Sequence, residues 1–182
     1  MEYPIFNDFI FHDTMPQNIV EQYKGIVPDE IIEIWQQYGL GSFKNGFLKI
    51  INPEEYNAIL TVAYSGSDAA VPLFATGMGD IITWENNHTF ILVNFGKKIL
   101  NGLAQKVSSL FLSLNEDWFC EDSLFWKHYP EAIEMYGSLA YDECLGYVPL
   151  LGLGGFERVK NLQKVKIKEQ LLVITALLGQ FA

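Results

Sequence analysis

VPDEIIEIWQQYGLGSFKNGFLKIINPEEY, residues 27–56, holds a helix, a glycine stop, a strand and the start of a second helix. Pro28 suits the first helical position, where its fixed φ is already helical and its missing N–H would have had no partner. Asp29 and Glu30 follow, where the positive end of the helix dipole favours carboxylates. Ile31, Ile34, Trp35 and Tyr38 fall at i, i+3, i+4 and i+7 and form one apolar stripe, which leaves Asp29, Glu30, Glu33, Gln36 and Gln37 to water. Gly39 and Gly41 supply the stop. Past a glycine-containing turn, residues 46–51 have the length and β-branched content of a strand, and Asn52 with Pro53 caps the start of a helix through Tyr56.

Downstream of a loop at residues 65–68, three strand-like runs follow at 71–76, 80–84 and 89–95. Residues 85–88, Glu-Asn-Asn-His, form a natural hairpin connection, and residues 96–98 begin another turn before Ile99 and Leu100. The expectation is an antiparallel meander. The second half turns helical: Ser108 or Ser109 caps an apolar helix through Leu114, and a helical stretch over 123–136 is broken or restarted by Pro130. The closing helix, 166–178, places Ile167, Leu171, Ile174 and Leu178 on one face. Leu172, Val173 and Leu177 widen that face enough to predict cover on both flanks. The fold class expected is α+β: an antiparallel sheet with flanking helices in the N-terminal half, and a mainly helical C-terminal half sharing its core.

The 182 residues fit one domain or two small lobes, and 49% hydrophobic residues with 14% aromatics describe a densely cored chain. Twenty-two acids against 12 bases leave a net charge of −10, which opposes binding to a phosphate backbone and suits a basic partner. The N-terminus shows no charged segment followed by an apolar one, and there are only two cysteines, so the cytoplasm is expected. The longest apolar run, 171–178 with Thr175 inside it, is far shorter than the roughly 20 residues of a membrane span, so no membrane partner is expected. Charge is uneven. Residues 116–143 carry eight acids against Lys127, while 157–170 carry Arg158, Lys160, Lys164, Lys166 and Lys168 against two acids, and the two segments could pair.

Chemistry concentrates in YDECLGYVPLLGLGG, residues 141–155. Gly152 and Gly154 match two positions of a dinucleotide fingerprint, but Glu157 stands at the third and no Lys-Ser or Lys-Thr pair follows, so the glycines read as tight packing. Cys144 follows two acids, which would raise a thiol's pKa, and reads with Cys120 as an apolar packing residue. His12, His88 and His128 stand at no metal-ligand spacing from either cysteine. The adjacent pairs Glu116/Asp117 and Glu121/Asp122 are as expected of any solvated acidic face. No catalytic motif is present, so neither an enzyme nor a cofactor is expected.

Within that stretch, DECLGYVPLLGLGG resembles the pattern D-E-C-Y-G-F-V-P-A-L-A-L-G-G of the C-terminal domain of bacterial immunity proteins against type VI secretion DNase effectors. Asp142, Glu143, Cys144, Gly146, Val148, Pro149, Leu153, Gly154 and Gly155 match, Leu151 in part, whereas Leu145, Tyr147 and Gly152 differ modestly. Residues 161–179 are similar to that domain's terminal strand and helix. Residues 27–56 and 74–84 are similar to the GAD-like domain that precedes it. The resemblance implies a GAD-like domain over 1–104 and the immunity-protein domain over 105–182, possibly as one compact unit. It also implies a non-catalytic protein that binds a cognate toxin, a nuclease. The rival reading is a sensor or adaptor module that holds a ligand or another protein.

A nuclease surrounds its cleft with cations, so an inhibitor can occlude it with carboxylates. Two clusters qualify: Asp29, Glu30 and Glu33 on the early helix, and Glu116, Asp117, Glu121 and Asp122, which flank Trp118 as an aromatic anchor. The acidic balance carries its own test. The free protein should not retard DNA or RNA in a gel-shift assay at moderate salt, and micromolar binding would contradict this reading of its charge.

Overall fold

The computed structural model describes residues 3–181. Seven strands form one antiparallel sheet in sequence order: β1 (Ile10–Asp13), β2 (Leu40–Phe43), β3 (Leu48–Ile50), β4 (Ala70–Thr76), β5 (Ile81–Glu85), β6 (Thr89–Asn94) and β7 (Ile99–Ala104). Between β1 and β2 run α1 (Gln17–Tyr23) and α2 (Asp29–Tyr38), and between β3 and β4 runs α3 (Asn57–Ala63). After the sheet come α4 (Val107–Leu114), α5 (Asp117–Leu124) and α6 (Tyr129–Tyr136), then the hairpin β8 (Glu143–Tyr147) and β9 (Leu162–Lys166), and last α7 (Ile167–Leu178).

The sheet separates two apolar clusters because neighbouring residues of a strand point to opposite faces. Ile82, Trp84, Phe90 and Leu92 belong to the larger cluster, with residues of α1, α2, α4, α5 and α6. Ile81, Val93 and Phe95 belong to the smaller one, with α3 and α7. The chain is thus α+β with helices on both faces of the sheet, and the C-terminal half contributes to both clusters.

β8 joins the two halves. Gly77, in the β4–β5 turn, donates its N–H to Phe47 O at 2.6 Å, and its carbonyl accepts the Leu145 N–H at 2.7 Å. Leu145 then enters the larger cluster and Cys144 the smaller. A Cβ at Gly77 would overlap the ring of Tyr129, which is itself buried and donates to Asn45 O at 2.9 Å, so the turn tolerates only glycine there.

Most of the expected elements are present with shifted ends. The helix of residues 29–38 buries the predicted stripe, with Tyr38 only half-buried and Ile32 added to it. The hairpin at 85–88 turns through Asn86 and Asn87, both at positive φ as such a turn needs. Asn52 caps, its side chain accepting from Glu54 N at 3.1 Å, but it caps a single 3-10 turn, Pro53–Glu55, ahead of α3.

Three expectations are corrected. α4 begins at Val107 because burying that side chain sets the start, so Ser108 and Ser109 lie inside the helix and exposed rather than at its cap. The glycine turn after α2 contains strand β2, paired with both neighbours. Leu172, Val173 and Leu177 are 47–57% exposed, so α7 is covered on one face only, where α3 and the sheet take Ile167, Leu171 and Ile174.

Leu145 is completely buried where the hairpin meets the sheet. Leu145→Ala should therefore lower unfolding free energy by about 3.5 kcal/mol, the middle of the range for emptying such a site. Chemical denaturation measures it, and a loss below about 1 kcal/mol would mean that the hairpin is not held by this contact.

Candidate partner-binding surface

The residues at 116–122 lie on and just before α5, whose two sides differ. Phe119, Cys120 and Leu124 are buried against the larger cluster, while Glu116, Asp117, Trp118, Glu121 and Asp122 are exposed. Trp118 is 63% exposed, and Leu112 on the preceding α4 is 69% exposed. Trp118 therefore faces water, while Phe119 belongs to the core. Phe119 meets the Trp118 ring edge-on at a centroid distance of 6.0 Å, which gives the exposed indole a fixed neighbour. Asp117 is 3.7 Å from Lys44 Nζ, and Lys44 lies 4.8 Å from the centre of the Trp126 ring.

In α2, Asp29 and Glu33 are exposed and Glu30 is half-buried. Glu30 and Glu33 are near enough to Tyr3 to help hold its hydroxyl above the usual tyrosine range, after burial as the main cause. The Tyr3 ring packs edge-on against Phe111 of α4 at 4.9 Å. Both acidic clusters therefore sit in the same helical layer, linked through Tyr3 and α4. The sequence had presented them as separate alternatives.

The basic segment is engaged elsewhere. Lys166 pairs with Asp142 at 2.8 Å and with Glu143 at 3.8 Å, Lys168 pairs with Glu55, and Lys164 donates to Ser138 O at 2.7 Å. The expected pairing of acidic and basic segments thus reaches only residues 142 and 143. Among the described residues, the carboxylates of Glu116, Glu121 and Asp122 have no salt-bridge partner.

The motif at 141–155 is packed into the fold through several of its side chains. Both thiols are free and buried. Burial is the main cause that pushes Cys120 up to about 11 and Cys144 up to about 12, so both remain protonated near neutrality. Tyr141 donates to Ile50 O at 2.8 Å and stacks on His12 at 4.0 Å. At Gly155 a Cβ would collide with the Pro149 carbonyl oxygen, which accounts for the last glycine without any ligand. Among the described residues, no three His, Cys, Asp or Glu side chains are grouped as a metal site.

Sequence reasoning missed a cavity bordered by Asp80, Asn94, Lys97, Glu121 and Glu157. Asp80 had been read only as the start of a strand, and no local spacing associates it with residues 40 or more positions away.

The family model for a GAD-like domain matches residues 5–95, and that for the type VI secretion system immunity protein Tdi1, C-terminal, matches residues 104–178. The chain belongs to the family of type VI secretion system immunity proteins that join a GAD-like domain to this C-terminal domain. Its fold is similar to that in the crystal structure of Atu4351 from Agrobacterium tumefaciens. The two are 18% identical with a TM-score of 0.76, over 95% of this chain and 88% of that one. No curated protein sequence matches the chain. No helix among the described residues is long and apolar enough to cross a membrane.

The scaffold role of the thiols is directly measurable. Neither should react with a thiol reagent at pH 8 in the folded protein, and Cys144→Ala should lower stability by about 1–2 kcal/mol while leaving protection intact. Loss of protection in a folded Cys144→Ala protein would reverse the assignment.

Proposed function

We propose that the protein neutralises a cognate secreted effector by direct, stoichiometric binding, that the effector is a nuclease, and that the α5 face receives it. The observation that carries this reading is Trp118, 63% exposed on a helix whose other side is buried, among the carboxylates of Glu116, Asp117, Glu121 and Asp122. Exposing an indole has no benefit for folding, whereas an aromatic anchor within a charged rim is how binding energy is concentrated at interfaces. Asp29, Glu30 and Glu33 extend the same acidic layer and add to the attraction of a cationic cleft before contact. Membership of an immunity family supports the role.

On this reading the protein acts in the cytoplasm and without catalysis, by occluding the effector's phosphate-binding groups. It binds no nucleic acid itself. We assign residues 1–104 to the GAD-like domain and 105–182 to the immunity domain. The domains share a core through β8. The second reading, a sensor or adaptor that holds a ligand, is favoured by one observation, the cavity beside the β6–β7 turn.

Co-purification with the product of a neighbouring toxin gene tests the partner, and association kinetics test the face. Reversing Asp117 and Glu121 to lysine should slow association about tenfold at low salt and flatten its salt dependence. Trp118→Ala should weaken the complex by about 2 kcal/mol, mainly through faster dissociation. Wild-type kinetics in both folded variants would remove this face from consideration.

A further inference from the structure

A cavity of about 150 Å³ opens where the β4–β5 and β6–β7 turns meet β8, the α5–α6 connection and α7. Asp80 and Asn94 line it and are 3% and 5% exposed. Leu150, Ile174 and Leu178 add apolar wall. Asp80 Oδ1 accepts from Phe95 N at 3.2 Å, and Oδ2 accepts from the Asn94 amide at 2.9 Å. Both donors are neutral, and no salt bridge reaches this carboxyl group among the described residues.

A buried carboxylate is ordinarily matched by a counter-ion. Of the two lysines that line the cavity, Lys97 pairs with Glu157, and neither it nor Lys127 makes a salt bridge to Asp80. Each oxygen of Asp80 has one lone pair used and one left, and a guanidinium fork needs one acceptor on each of two oxygens. The apolar wall suits an aliphatic stem behind that head.

We propose that this cavity is a receptor for a single alkylguanidinium group, its head on the two oxygens of Asp80 and its stem against Leu150, Ile174 and Leu178, with Glu121 nearby. Glu121 belongs both to this cavity and to the acidic face of α5. The head group comes either from an arginine of the bound effector or from a free small molecule, and the first source rests on the reading of α5 as the effector-binding face.

Burial, the largest cause, pushes the empty Asp80 up to about 8 against the lowering effect of the Phe95 N–H, the Asn94 amide and Lys97. A cation binds the ionised form, so affinity should rise with pH by up to about tenfold per unit below about pH 8. The other ionisable groups at or beside the cavity are Lys97, Glu121, Lys127, His128, Cys144, Tyr147 and Glu157. His128 borders the cavity, so the titration is repeated in His128→Gln to isolate the contribution of Asp80.

The experiment titrates the full chain with methylguanidinium, and with methylurea as its uncharged counterpart, following amide resonances of Phe95 and Gly96. Saturable shifts are expected with the cation only, stronger at pH 8 than at pH 6, and retained in His128→Gln. Asp80→Asn should weaken binding at least tenfold. Because that change alters a buried hydrogen-bond network, Gly96→Leu serves as a second variant. Gly96 lines the cavity, and a Cβ there has nothing nearer than Asn94 Oδ1 at 4.0 Å, so a leucine at this position is accommodated without displacing Asp80 and is expected to narrow the cavity. No saturation in the wild type, equal binding of methylurea, or undiminished binding in both folded variants overturns the proposal.

Effector affinity then separates the sources. A Gly96→Leu protein that loses methylguanidinium and weakens the effector complex identifies an effector arginine. One that loses methylguanidinium alone identifies a free small molecule. Kinetics of Trp118→Ala, a residue that does not line the cavity, decide the effector face independently of the methylguanidinium result.

Discussion

A chain of two backbone hydrogen bonds, from Gly77 N–H to Phe47 O and from Leu145 N–H to Gly77 O, is where the two halves of this protein become one. It lies at the end of the sheet, where the β4–β5 turn would otherwise leave polar groups without partners. A buried backbone group must find a partner, and here β8 provides it. Two adjacent residues of β8 then enter different clusters, Leu145 on one face of the sheet and Cys144 on the other. β9 pairs with β8, and Ile167 at the start of α7 donates to Asp142 O at 2.9 Å, so the position of the last helix also follows from this junction.

The two regions assigned a role use carboxylates in opposite physical states. On α5 the acids are hydrated, cost the fold little, and act at a distance through their field. Asp80 is enclosed, resists ionisation, and acts only on a group that comes into contact with it. Glu121 touches both regimes because α5 runs from the open face to the rim of the cavity. The packing of Phe119, Cys120 and Leu124 against the core orients the proposed effector face.

Legibility in the sequence followed the strength of local periodicity. The helix at 29–38 combines an acidic start, a one-sided apolar stripe and a glycine stop, and it was readable almost to the residue. β1 was invisible because all four of its residues are exposed, so no alternation marks it; it is held by pairing with β2 and by the stacking of His12 on Tyr141. The start of α4 was misplaced because serine is a good cap in isolation, whereas burial of Val107 outweighed that preference. The stripe on α7 was legible as apolar, but which of its flanks is covered depends on the positions of α3 and the sheet.

The amino-acid sequence alone determined the α+β class, the meander and the acidic balance, and its residues 142–155 carry a resemblance to an immunity domain, because each is a property of neighbours along the chain. Tertiary structure decided that Trp118 faces water while Phe119 does not, that the acids of α2 and α5 share one layer, and that Asp80 meets Glu121 and Glu157 around a cavity. These are relations between residues tens of positions apart. They arise from how layers pack across the sheet, and no local pattern encodes them.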